Sequence, residues 1–335
     1  METINLSGTW QCAIPGMEKP IRIPGTLDES GIGYKDVGGK KWHPDTDTSR
    51  EIYQVDQGIR TRLTRVVTYE GPASITRTLT WDVPAGKRLF VEVERSRHLT
   101  LRLNGNQVTA WTEGSVSTPW VFDVTGRMTG RDTLEMIADN SYPGWPHDAI
   151  VFSSAATDET QTNWNGLMGY VRLRVEEETY LSGVRVYPMG NSLDICVETD
   201  ALTAGEASLT LTSDALADAV ARRVDVKPGV GELWFRGLPL AENVRRWDEE
   251  DGNLYTLTAT LGGSTRTVRF GVRDFRAEGG VLTLNGRRIF LRSEANCAVF
   301  PEEGHPPMTV ERWREVLAVY RSYGVNCMRF HSHIP

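Results

Sequence analysis

The chain changes its sequence period once, near its end. Before about residue 276 it reads as short alternating runs broken by Gly, Pro and Asn. Then MTVERWREVLAVYRSYG (308–324) puts Trp313, Val316, Leu317 and Tyr320 at helical spacing, and VNCMRF (325–330) follows at once as a short, buried-type strand. Thr309 suits the helix N-cap, Glu311 complements the positive end of the helix, and Gly324 sits where a left-handed C-cap is wanted. From Ile289 to Phe330 the pattern is strand, loop, helix, strand, a βαβ unit with parallel strands. A lone unit of this kind cannot bury both faces of its sheet, and its last strand offers an open edge. The chain is therefore expected to be the front part of a larger protein, cut just after a (β/α)₈ barrel begins, since a whole barrel takes roughly 250 residues. The competing expectation is a small βαβ appendage folded onto the preceding β structure.

What precedes is expected to be two β-sandwiches. In RLFVEVER, Leu89, Val91 and Val93 alternate with Phe90, Glu92 and Glu94, which predicts one buried and one wet face. LTLRLNGNQV follows, with Leu99, Leu101 and Leu103 on one face and Asn104-Gly105 supplying a tight hairpin turn. A second stretch contains SLDICVETD, where Leu193, Ile195 and Val197 alternate with more polar neighbours, together with ASLTLTSD and LYTLTATL. Its length of roughly 100 residues and its strand spacing suit an immunoglobulin-like sandwich. VLTLNGRRIFLRS then repeats the hairpin signal at Asn285-Gly286. The fold class is thus mainly β. Residues 1–180 are assigned to one sandwich, 181–276 to an immunoglobulin-like sandwich, and 277–335 to the truncated start of a (β/α)₈ TIM barrel.

Composition narrows the function classes. Lys and Arg number 37 against 44 Asp and Glu, a formal charge of -7, which argues against a nucleic-acid or anionic-membrane partner. No apolar run approaches membrane-spanning length, and METINLSGTW lacks the regions of a signal peptide, so a cytoplasmic location is expected. The four cysteines, Cys12, Cys196, Cys297 and Cys327, are scattered without metal-ligand or disulfide-framework spacing and read as free thiols in a reducing compartment. No cofactor or metal site is indicated. Asp139, Asn140 and Asp158 offer oxygen ligands, but their spacing is not diagnostic of a cation site.

Several segments, in order, resemble glycoside hydrolase family 2, the β-galactosidase, β-glucuronidase and β-mannosidase group. LSGTWQ (6–11) and IPGTLDESGIG (23–33) resemble the entry of the family's jelly-roll, sugar-binding domain. YEGPASITRTLTW (69–81) resembles its first core strand, and NGNQV, FDVT and TLEMIADN follow in the family's order. NWNGLMGYVRL (163–173) resembles the strand that closes that domain, and WDEEDGNLYTLTATL (247–261) a strand of its immunoglobulin-like domain. FGVRDFRAEGGVLTLNGRRIFLR (270–292) resembles the join into the barrel, and YGVNCMRFHSHIP (323–335) the second barrel strand. Three departures mark a divergent branch. Ser293 stands where the family usually has Gly, EANCAVFPEEG (294–304) replaces an acid-plus-His pattern, and one extra residue lies between Arg329 and Pro335.

The resemblance implies a retaining exo-β-glycosidase acting on a terminal β-linked sugar, most simply a β-galactoside or β-glucuronide. Retention needs two carboxyl groups roughly 5 Å apart. In the family both are Glu at the ends of the fourth and seventh barrel strands, beyond this chain's second strand, so no catalytic residue is assigned and the chain alone is expected to be inactive. The resemblance places Arg329, His331 and His333 in the sugar pocket. There the Arg fork orients a carboxylate and one of the two imidazoles bonds sugar hydroxyls, which one being left open. Glu294, at the end of the first barrel strand, is a candidate substrate contact, whereas Glu302 and Glu303 read as a solvated loop. Asn163 and Asn165, in a loop that reaches toward the active site in the family, are candidate sugar ligands or turn-bonding residues, with Trp164 read as core packing and Trp145 as a loop anchor. The expected partners are a carbohydrate substrate and a further copy of the chain, associating through the unpaired barrel strands. The rival reading is a non-catalytic carbohydrate-binding β-sandwich protein. A third is an assembly fragment completed by a separate barrel chain.

Overall fold

The computed structural model describes residues 2–35, 67–146, 163–300, 303–331 and 334. Two compact units result, one made of 3–84, 89–174 and 292–335, the other of 1–2, 85–88 and 175–291. No helix among the described residues is long and apolar enough to cross a membrane.

In the first unit the alternating segments form a jelly-roll sandwich of two six-stranded sheets. One runs Asn106–Val108, His98–Leu103, Arg131–Asp139, Pro72–Thr80, Gly8–Ile14, Met17–Ile23. The other runs Glu2–Asn5, Gly166–Glu176, Arg88–Arg95, Trp120–Asp123, Ala110–Thr112, with Gly25–Thr26 against Gly166–Glu176. Trp10, Ile75, Leu101, Leu134 and Met136 from one sheet and Val91, Val93, Phe122 and Val171 from the other are fully buried. Each such side chain contributes roughly 1.5–3 kcal/mol of burial free energy. The Asn104-Gly105 turn forms as the sequence predicts, with φ values of 51° and 81° and Leu103 opposite Asn106.

The strand Arg88–Arg95 departs from its pattern. Leu89, Val91 and Val93 are buried as expected, but so are Phe90 and Glu92. The expected wet face is covered by two arginines of the neighbouring strand. Arg172 Nε lies 2.7 Å and Arg174 Nε 2.6 Å from the two Glu92 oxygens, and the Arg174 guanidinium rests 4.2 Å from the Phe90 ring centre. A paired carboxylate can be buried where a bare one cannot.

In the second unit a three-stranded sheet, Thr179–Met189, Ser192–Ala201, Gly229–Pro239, faces a four-stranded one, Val220–Val226, Gly205–Thr212, Tyr255–Leu261, Ser264–Phe270. The strand pairs of both sheets are antiparallel, as in an immunoglobulin-like sandwich. Its core holds Leu193, Ile195, Val197, Leu209, Leu211 and Leu257. Cys196, like Cys12, is buried, Cys297 and Cys327 are half-buried, and all four are unbridged. A small meander, Phe275–Glu278, Val281–Leu284, Arg287–Arg288, follows, turning at Asn285-Gly286 with φ of 51° and 79°.

Among the described residues of 292–335, Ser293–Asn296 pairs in parallel with Cys327–Phe330, and the helix Val310–Ser322 lies between them in sequence. Thr309 caps the helix, its Oγ1 accepting from Arg312 N. Gly324, at φ 78°, ends it in a Schellman arrangement, with Gly324 N donating to Arg321 O and Val325 N to Tyr320 O. The helical stripe is less covered than its period suggests: Trp313, Val316 and Tyr320 are half-buried, and Leu317 is exposed.

Candidate functional site

The parallel pair positions most of the sequence-derived candidates. Asn326 sets its register. Its Oδ1 accepts from Arg292 N at 2.8 Å, its N donates to Arg292 O at 3.1 Å, and Arg292 Nε donates to Gly324 O at 2.6 Å. Ser293 then faces Cys327, Glu294 faces Met328, Ala295 faces Arg329, and Asn296 faces Phe330. Side chains alternate along a strand, so these pairs divide between two faces.

One face is turned to the helix. Phe330 meets Trp313 edge-on at 5.9 Å, Trp313 in turn meets Phe300 at 5.6 Å, and Asn296 Nδ2 donates to Tyr320 Oη at 3.3 Å. Glu294 and Met328 share this face. The opposite face carries Ser293, Ala295, Cys327 and Arg329, and Arg329 is exposed there. His331 is exposed too, and its N extends the ladder by donating to Asn296 O at 2.7 Å.

The candidates therefore do not converge as a set. Arg329 and His331 flank the inward-turned Phe330 and are open to solvent. Glu294 points the other way, one residue out of phase with Arg329. It is half-buried, and its Oε2 is shielded from water with no hydrogen-bond partner among the described residues. Glu303 is held by Arg312 at 3.4 Å, in keeping with a charged loop. His333, Glu302 and Asp158 lie outside the described residues.

Asn163 and Asn165 are buried at 5% and 3% exposure, away from any open surface. Asn163 Nδ2 donates to Asn140 O at 3.0 Å, and Asn140 Nδ2 returns a bond to Asn163 O at 2.7 Å. Asn165 Nδ2 donates to Gly71 O at 2.8 Å, while Gly71 N donates to Asn140 Oδ1 at 2.9 Å. These amides serve backbone groups at the base of the segment that precedes the strand Gly166–Glu176, and the buried NH₂ groups are already occupied. Trp164 is buried as its packing reading expects, under the Arg97 guanidinium at 4.2 Å. Trp145, expected to anchor its loop, is instead 64% exposed: the turn is closed by the backbone bond from Trp145 N to Tyr142 O, which leaves the ring free of that task. Asp139 accepts from Ser141 N and Oγ, which closes its own turn.

One pair escaped the sequence reading. His305 is 3% exposed, and its Nε2 lies 3.0 Å from Glu29 Oε1. Glu29 lies in the IPGTLDESGIG segment and His305 just beyond EANCAVFPEEG, but neither was singled out, and their wide separation along the chain gave no signal that they pair.

No family model matches the chain. Among curated proteins it is 27% identical over 241 residues to the β-galactosidase BgaC of Bifidobacterium adolescentis, covering 65% of this chain and 22% of that protein. It is 31% identical over 96 residues to a β-galactosidase of Priestia megaterium, covering 27% of this chain and 9% of that protein. Among solved structures, a family 2 β-galacturonidase of Eisenbergiella tayi bound to galacturonate aligns with 100% of this chain and 54% of its own, at TM-score 0.70 and 21% identity. A β-glucuronidase of Bacteroides uniformis aligns with 100% of this chain and 40% of its own, at TM-score 0.71 and 17% identity. The chain thus spans about half the length of the first solved relative and about a fifth of the first curated one.

Proposed function

We propose, on the premise that this chain is similar over its whole length to the N-terminal portion of the family 2 glycoside hydrolases, that it forms the front part of a retaining exo-β-glycosidase acting on terminal β-linked sugars. The observation that carries this reading is the order of parts. A jelly-roll sandwich and an immunoglobulin-like sandwich precede a parallel strand pair, and the uncovered face of that pair presents Arg329 beside Ala295. On this reading that face is the inner wall of a (β/α)₈ barrel begun at Ser293–Asn296, and the helix Val310–Ser322 belongs to its outer ring. Arg329 orients a carboxylate through its two-pronged guanidinium, and His331 or His333 bonds sugar hydroxyls. The acid/base and nucleophile, which must stand roughly 5 Å apart, are assigned to barrel strands that this chain does not include. Glu294 is assigned to neither role, because it shares the helix-facing side.

The test is turnover. The purified chain, with host enzymes excluded, is incubated with aryl β-galactosides, β-glucuronides and β-galacturonides, alone and together with a barrel chain supplying the remaining strands. The chain alone is expected to release no product, and the combination is expected to release it with retained configuration. Product from the chain alone overturns the reading. Tight binding of free sugars by the chain alone in calorimetry, with no turnover in any combination, supports the non-catalytic carbohydrate-binding alternative instead.

A further inference from the structure

The pair His305 and Glu29 is arranged to favour a charged imidazole beside a carboxylate. His305 Nδ1 lies 2.8 Å from the carbonyl oxygen of Pro306, and Nε2 lies 3.0 Å from Glu29 Oε1. The other Glu29 oxygen accepts from Thr26 N at 2.9 Å and from Thr26 Oγ1 at 3.0 Å. A carbonyl oxygen only accepts. Burial alone would raise the Glu29 carboxyl pKa, but His305 and the Thr26 donors outweigh it and hold the group below its ordinary value, so Glu29 is the ionised partner. A neutral imidazole has one N–H, yet both ring nitrogens face acceptors. With Glu29 ionised, the Nδ1 bond to Pro306 O and the 3.0 Å ion contact of Nε2 with Glu29 Oε1 are both favourable only when the ring carries two protons.

The surroundings make that proton consequential. Gly304, His305, Pro306 and Pro307 are all buried, which is unusual for a connecting segment. The two prolines reduce the cost because they bring no N–H to satisfy. Pro307 O accepts from Trp313 Nε1 at 3.0 Å, so the same segment holds the first turns of the helix. On the sandwich side, Asp28 and Glu29 supply negative charge, while Lys19 Nζ is engaged with Gly31 O at 2.9 Å. On the segment's own side, Glu303 is paired with Arg312 of the helix.

We propose that His305 and Glu29 form a proton-operated latch that fastens residues 303–309 to the turn at residues 26–32 of the jelly roll, closed while the imidazole is charged and loosened when it is neutral. Burial by itself disfavours the imidazolium. The bonds to Glu29 and to Pro306 O, with the negative field of Glu29 and Asp28, outweigh it and raise the His305 pKa above its ordinary value. A raised pKa means stabilisation that is fully present below the unfolded value near 6.5 and is lost as pH rises through the higher folded value. The latch stands apart from the glycosidase reading, since it involves neither Arg329 nor His331.

The test uses the whole chain. The His305 ring proton is followed by NMR from about pH 5 to 9 in the native chain and in Glu29→Gln, and amide exchange of the 303–313 peptide is followed by mass spectrometry, corrected for intrinsic base catalysis. The expected result is a midpoint above about 6.5 that falls by a unit or more in Glu29→Gln, with peptide protection dropping about tenfold across the same midpoint (one unit of proton affinity being a factor of ten). Glu29→Gln keeps the carboxamide oxygen as an acceptor and is chosen so that the chain still folds; His305→Gln, followed over the same pH range, is expected to lack the pH-dependent step. An unchanged His305 midpoint in Glu29→Gln, or peptide protection that ignores the His305 titration, overturns the latch.

Discussion

Arg88 Nη1 lies 2.9 Å from Asp200 Oδ1, with both side chains 3% exposed. Tyr180 Oη donates to the other Asp200 oxygen at 2.9 Å, and the Arg88 guanidinium sits 5.3 Å from the Tyr180 ring centre. Removing one member of a buried ion pair leaves the other charged and desolvated. Asp200→Ala is therefore expected to cost about 3–5 kcal/mol and Tyr180→Phe about 1 kcal/mol. The double change Arg88→Met with Asp200→Leu should cost less than Asp200→Ala alone. Urea unfolding of the three variants checks the order; equal losses for the single and double changes would contradict it.

Asn140 joins three strands' ends through one side chain. It accepts from Gly71 N and donates to Tyr69 O and Asn163 O. Asn140→Ala orphans several buried backbone groups, each costing roughly 1–3 kcal/mol. A loss above about 2 kcal/mol in thermal or urea unfolding is expected. Asn165→Ala, which strips one donor from Gly71 O, is expected to lose less.

Asp132 gives the acid limb of stability. Burial alone would raise its carboxyl pKa, but Asn104 Nδ2, Thr129 N, Gly130 N and Thr129 Oγ1 all donate to it and hold it below the usual carboxylate range. Its contribution is present above the unfolded value near 3.9 and disappears as pH falls through the lower folded one. Asp132→Asn should lower the melting temperature at pH 7 and shrink the difference from wild type toward pH 3. A difference that is constant with pH would refute the assignment.

Arg329 and Glu294 should behave oppositely. Arg329 is exposed and serves no described contact, so Arg329→Ala is expected to change stability by less than about 0.5 kcal/mol. On the proposed reading, in which Arg329 orients a carboxylate of an assembled barrel, the same change is expected to lower kcat/KM by about a hundredfold or more, as removal of a charge-positioning group does. Glu294→Met removes a shielded carboxylate oxygen that lacks a donor and should stabilise the chain by about 1 kcal/mol. Calorimetric scans of both variants, with kinetics of the completed enzyme for Arg329→Ala, test the contrast.

Much of the fold was legible because its signals are local. Alternation marked Leu99, Leu101 and Leu103, and Leu193, Ile195 and Val197, as inward-facing. Asn-Gly dipeptides marked both hairpins, since positive φ there comes at little cost for those two residues. Thr309 and Gly324 marked the helix ends. The burial of Phe90 and Glu92 was not legible, because Arg172 and Arg174 cover them from a strand brought alongside only by folding.

The candidate site divides along the same line. Its residue types, and the strand that carries Arg329 and His331, could be read from short-range pattern and resemblance. Which face each side chain takes could not. A shift of one position reverses a strand side chain, and only the pairing of Ala295 with Arg329 set Glu294 on the side of Tyr320 and Trp313. Asn163 and Asn165 were open by type to either a ligand or a turn-bonding role, and their burial and bonds to the Asn140 and Gly71 backbone came only with folding. The amino-acid order alone determined the strands, turns, helix caps and their succession, because these depend on neighbours a few residues apart. Tertiary structure alone decided what is covered, what is paired and that His305 comes to lie 3.0 Å from Glu29, because those depend on groups that chain order leaves far apart.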